Sequence, residues 1–167
     1  MFADKLFVFL KYLVVYFVFI LLSLINKSQN DLYFVFDLLP NFEIILIFLL
    51  FFWSSDRVIL LKYNLFLFGI IIDTFNFLPL GLSSLSLLIS YKIIYWLRNY
   101  FILENHFIYF FRDNTLFITV YFCLQWFIFS FYNTNFFPFQ GVFINIVKNI
   151  IFSNLLYLIY KKLFRNV

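Results

Sequence analysis

Residues 58–97, VILLKYNLFLFGIIIDTFNFLPLGLSSLSLLISYKIIYWL, decide what kind of chain this is. Two apolar runs, Val58 to Phe77 and about Leu82 to Leu97, are joined by a turn carrying Pro79 and Gly81. Proline and glycine together mark a chain reversal, so the two runs read as an antiparallel helical pair. Asp73 stands among branched aliphatics in the first run. A carboxylate there costs roughly 2.5–3.5 kcal/mol on insertion scales, so its position needs a physical reason.

The same reading extends in both directions. With 65% of 167 residues apolar and 12% charged, there is too little charge to clothe a globular surface, which excludes a soluble domain. A helix needs about 20 residues to cross roughly 30 Å of hydrocarbon, with shorter spans tolerated by local thinning. Six segments qualify: 6–25, 38–53, 58–77, 82–97, 115–132 and 142–160. The expected fold is therefore an all-α, polytopic helical bundle in the membrane, one domain over 1–167, with six transmembrane helices and both termini cytoplasmic. Pro40 is expected in the first turn of the second span, where its missing N–H does no harm. His106 to Phe111 is aromatic and is expected to lie along the membrane surface.

Orientation follows from the basic residues, which are retained on the cytoplasmic side in short loops. Lys5, Lys11, Arg57, Lys62, Lys92, Arg98, Arg112, Lys161, Lys162 and Arg165 fall on one side, and only Lys27 on the other. Trp53 and Trp96 then sit at the cytoplasmic ends of their helices, where amphipathic rings prefer to be. The net charge of +4 is scattered over helix ends and forms no strip, so nucleic acid is not an expected partner. Membrane lipid is.

Polar residues inside the spans are the candidate functional positions. Lys62, Gly69, Asp73 and Asn76 share one helical face. Asp73 and Asn76 either make a polar contact in the bundle or with a partner helix, or reach the outer headgroups; Gly69 permits close backbone approach beside them. Asn145, Lys148 and Asn149 cluster on the sixth span. Lys148, the deepest charge, either snorkels or pairs, with Asp73 and Glu43 as candidate partners that both lie nearer the outer surface. Glu43 follows Pro40 and Asn41 at a helix start, where the dipole favours an anion. Ser83, Ser86 and Ser90, with Gly81 ahead of them, form a small-residue stripe suited to helix packing, and Gln125 belongs to the same polar interior.

Catalytic arrangements are not expected. His106 has no second histidine or cysteine with which to share a metal, Cys123 is single, and no nucleophile motif or phosphate-cradling glycine loop occurs. The reading is thus a non-enzyme with neither metal nor cofactor.

Leu39-Pro40-Asn41 opening the second span, Gly69 and Asp73 in the third, and Leu80-Gly81 starting the fourth resemble the rod shape-determining MreD family, as do the length and the basic C-terminus. The resemblance covers about 60 of the 167 residues. It implies a multi-pass inner-membrane scaffold of the bacterial cell-elongation machinery. Such a scaffold binds MreC, and indirectly serves MreB filaments and peptidoglycan synthesis by RodA and its transpeptidase partner. Under it, Pro40, Asn41, Glu43, Asp73 and Asn76 are the docking region. The alternative is a substrate-binding membrane subunit of an energy-coupling-factor vitamin transporter, with Asp73, Asn76 and Gln125 lining an outward pocket.

Overall fold

The computed structural model describes residue 14 and residues 16–24, 40–53, 58–100, 106–133 and 138–163. They form helices joined by short turns, with no strand among them. We label the helices α1 (residues 16–24), α2 (Phe42–Trp53), α3 (Val58–Phe75), α4 (Leu82–Tyr100), α5 (His106–Tyr132) and α6 (Phe139–Leu163). Successive helices α3 to α6 pack as antiparallel neighbours. The core between them is aromatic and aliphatic, centred on Phe48, Phe68, Leu87, Ile94, Phe117 and Tyr121.

The boundaries depart from expectation where tertiary contacts override hydropathy. The fifth helix begins at His106, not Thr115, so the predicted surface stretch His106 to Phe111 is instead its first turns. Helix formation through the polar triplet Arg112-Asp113-Asn114 is possible because all three side chains find partners. The α4 helix continues to Tyr100 and α6 spans Phe139 to Leu163, both beyond the predicted ends. In α3 the helix stops at Phe75, two residues early. Half of the predicted first span, and residues 38 and 39 of the second, lie outside the described residues.

The α2 helix differs most. Pro40 and Asn41 precede it, and the Asn41 carbonyl accepts the amides of Ile44 (3.1 Å) and Ile45 (3.3 Å). Twelve residues rise about 18 Å at 1.5 Å each, well short of a hydrocarbon core. Its start is tied to the middle of α6: the Asn41 amide donates to Asn149 Oδ1 at 2.8 Å, and the Phe42 ring meets Phe152 edge-on at 5.7 Å. Since Asn149 lies ten residues beyond Phe139, α2 begins about 15 Å along α6. Further along, Phe48 packs against Phe110 and Phe117.

Among the described residues, two helices are long and apolar enough to cross a membrane, over Ile108–Tyr132 and Phe139–Ile159. Only 28% and 17% of their most apolar stretches are buried in the protein, unlike the core helix of a soluble fold. By contrast α2 is too short, and α4 dilutes its aliphatics with Ser83, Ser84, Ser86 and Ser90. Polar side chains share the interior with that apolar core, Asp73, Ser83, Ser90, Asp113 and Asn149 being fully enclosed, while Phe66, Leu85, Phe127, Phe143 and Ile151 are exposed.

Candidate functional site

The α3–α4 hairpin organises the polar groups singled out in the sequence. Helix α3 ends in a reversal in which the Leu78 amide reaches back to the Asp73 carbonyl at 2.9 Å, with Phe77 at φ 53°. That bond and that left-handed residue are a Schellman closure, a position where glycine is normally preferred. Gly81, at φ 94°, then turns the chain into α4.

This geometry brings the first amides of α4 onto the Asp73 carboxylate. Oδ2 accepts Gly81 N–H at 2.8 Å, and Ser83 N–H is shared between Oδ1 (2.9 Å) and Oδ2 (3.2 Å). Asp73 is fully buried. It therefore caps a helix eight residues downstream: the unsatisfied amides and positive end of α4 offset the cost of keeping an anion out of water. Its position in an aliphatic run thus has an intramolecular reason, and the carboxylate is not presented to a partner helix or to headgroups.

A second layer extends from Ser83. Gln125 Nε2 donates to Ser83 Oγ (2.7 Å) and to the Tyr121 hydroxyl (2.6 Å). Both carboxylates of this half of the bundle, Glu43 and Asp73, act electrostatically on that hydroxyl. The expectation that Gln125 joins the polar interior is met. Asn76, also on the expected face, donates to the Ile72 carbonyl of its own helix at 3.0 Å.

Close helix packing occurs, with different partners from those anticipated. A Cβ on Gly69 would run into the Ser84 backbone, so α3 and α4 touch main chain to main chain there. Ser84 Oγ donates across this contact to the Phe66 carbonyl at 2.8 Å. Ser86 and Ser90, expected to serve packing, are buried but donate to carbonyls one turn back, Leu82 and Ser86. Ser84 was legible only as a fourth serine; which serine faces α3 depends on the register set by the Asp73 cap.

On α6, Asn149 Oδ1 receives the Asn41 amide while its Nδ2 donates to the Asn145 carbonyl at 2.8 Å. The start of α2 is therefore level with the Asn145–Asn149 segment, and Glu43, buried, lies in that layer. The expected depth difference between Glu43 and Lys148 is corrected by this bond: α2 starts deep in the bundle, not at its rim.

Two polar clusters were not anticipated. Asp113, fully buried in α5, accepts Arg98 Nε at 2.5 Å on one oxygen and Arg112 Nε (3.0 Å) and Nη2 (2.9 Å) on the other. On the next residue, Asn114 Nδ2 donates to Ser153 Oγ (2.6 Å) and Asn154 Oδ1 (3.1 Å), joining α5 to α6. The spacing from Arg98 to Asp113 carries no sequence signal, because it closes between helices. No group of three or more metal-ligating side chains occurs among the described residues. One cavity of about 410 Å³ opens between α5 and α6, walled by the apolar surfaces of Val120, Cys123, Leu124, Trp126, Phe127 and Phe139 with Thr119. No protein-family profile, curated protein or solved structure matches the chain.

Proposed function

We propose that the chain is a non-catalytic, multi-pass scaffold of the bacterial inner membrane, acting in cell elongation by binding MreC. The observation that carries the membrane part is the breadth of outward apolar surface, with large aromatic and aliphatic side chains exposed on every helix from α3 to α6 while Asp73 and Gln125 are hydrogen-bonded within. In lipid there is no hydrophobic drive to bury aliphatics, so van der Waals fit and hydrogen bonds between helices hold the body together. The Gly69–Ser84 contact and the Asp73 and Gln125 networks supply both.

The elongation role rests on the MreD-like residues, now with a physical use for them. Gly69, Asp73 and Gly81 form one closed hairpin, and Asn41 fixes the start of α2. In this proposal they shape the docking body, and MreC meets the outward apolar surface beside them. Asp73, Asn76 and Gln125, which a vitamin pocket would need as ligands, are bonded within the bundle, which favours the scaffold over the transporter subunit. The test is co-purification with MreC from mild-detergent extracts. A stable complex is expected; no complex, together with thermal stabilisation by a vitamin, would overturn the scaffold in favour of the transporter.

A further inference from the structure

At the end of the bundle where α4 finishes and α5 begins, we infer a binding site for the phosphate of an anionic lipid headgroup, centred on Arg112 and flanked by Arg98. This rests on the membrane reading above.

Asp113 holds both guanidiniums. Arg112 uses Nε and Nη2 on Oδ1, and Arg98 uses Nε on Oδ2. A guanidinium carries five N–H donors in a fixed fork. The Nη1 edge of Arg112 is thus left for a further acceptor, and its side chain is 21% exposed although the carboxylate beneath it is buried. The Tyr109 ring lies under the Arg112 guanidinium at 4.5 Å, and its hydroxyl donates to the Arg98 carbonyl at 3.3 Å. The fork is therefore oriented before any ligand arrives, which suits a tetrahedral phosphate better than a mobile lysine would.

Two features point to lipid as the source of that phosphate. Ile108, four residues before Arg112 and so on its helical face, is exposed, giving an acyl chain apolar surface beside the charged head. The same end of the bundle carries Lys62, Lys92 and Lys162, all exposed, with Asp113 as the one carboxylate among the described residues there. Such a field draws anionic lipid, at about 1 kcal/mol per basic residue near the surface.

The test is native mass spectrometry of the full chain in non-ionic detergent, titrated in parallel with phosphatidylglycerol, phosphatidylcholine and inorganic phosphate. Retention of phosphatidylglycerol at least about five-fold tighter than phosphatidylcholine is expected, and Arg112→Gln removes that preference, a factor of about five corresponding to one basic residue. Arg112→Lys, which keeps the charge and loses the fork, retains part of it; Lys162→Gln on α6, which removes a charge from the field and no donor from the site, lowers it less than Arg112→Gln does. Circular dichroism verifies that each variant is folded, and Arg112→Lys carries the test if the glutamine variant is not. Equal retention of the two lipids, or an Arg112→Gln chain that binds phosphatidylglycerol like the parent, overturns the inference. Displacement of the lipid by millimolar inorganic phosphate overturns it in favour of a free-ion site. A chain that resists carbonate extraction yet ignores phosphatidylglycerol sinks this inference and leaves the membrane reading standing.

Discussion

Replacing Asp73 with leucine tests whether this carboxylate serves the fold or a partner. In the structure it accepts the Gly81 and Ser83 amides at 2.8 and 2.9 Å in a fully buried setting. Hydrogen bonds to a charged group contribute about 1.5–3 kcal/mol each in water-soluble proteins, whereas interhelical bonds inside membranes average about 0.6 kcal/mol. Two bonds between those limits, plus two stranded amides at the start of α4, put the loss for Asp73→Leu at about 2–4 kcal/mol. Asp73→Asn keeps one acceptor oxygen, and about 1 kcal/mol is expected. Equilibrium unfolding in mixed micelles of increasing dodecyl sulfate, followed by tryptophan fluorescence, measures both. A leucine variant within about 0.5 kcal/mol of the parent would refute the capping argument. So would an asparagine variant of undiminished stability that no longer co-purified with MreC, since the carboxylate would then be acting at the partner.

Four further outcomes follow from the same geometry. Gly69→Ala forces a methyl into the Ser84 backbone and is expected to destabilise by about 2 kcal/mol or more, whereas Gly141→Ala, in open space on α6, is expected to stabilise slightly, by up to about 1 kcal/mol; paired unfolding curves decide. Phe77→Gly relieves a left-handed residue whose side chain is 81% exposed and is expected to gain about 1 kcal/mol in the same assay. Asp113→Asn leaves two guanidiniums facing a neutral amide and is expected to lose about 3 kcal/mol, with a smaller loss in an Arg98→Gln background, read from a double-mutant cycle. Cys123, half-buried on the apolar α5–α6 cavity, is expected to react slowly in intact membranes with N-ethylmaleimide and with a charged, impermeant maleimide alike, because apolar surroundings disfavour the thiolate; rapid labelling by the charged reagent would show that water reaches the cavity.

The sequence was most informative where a local backbone rule applied. Pro79 and Gly81 announced the reversal between α3 and α4, and Gly81 does adopt a positive φ. The apolar runs announced helices, and lipid being a poor solvent for an amide or a carboxylate pointed Gln125 inward and made the interior one of the two places open to Asp73, the other being the outer headgroups. Legibility failed where depth or partnership is set between helices. Hydropathy gives the length of an apolar run and says nothing of where it sits relative to its neighbours, so the deep start of α2 depends on Asn149 and was not readable. The first turns of α5 were read as a surface segment because His106 to Phe111 are aromatic, and the polar triplet Arg112, Asp113 and Asn114 separates them from the apolar run that starts at Thr115. The charges and amides of that triplet are matched by Arg98, Ser153 and Asn154, which are distant in sequence.

Helix α4 is fastened at both extremities: its first amides to Asp73 of α3, and Arg98 in its last turn to Asp113 of α5. Fifteen residues, or about 22 Å, separate Ser83 from Arg98. With its register against α3 locked at Gly69, this strut can neither slide lengthwise nor wind about its axis without breaking a buried bond. A load applied at one end of α4 then reaches the other as a tilt of the whole rod, which makes this helix the mechanical link between the Asp73 cap and the Asp113 cluster.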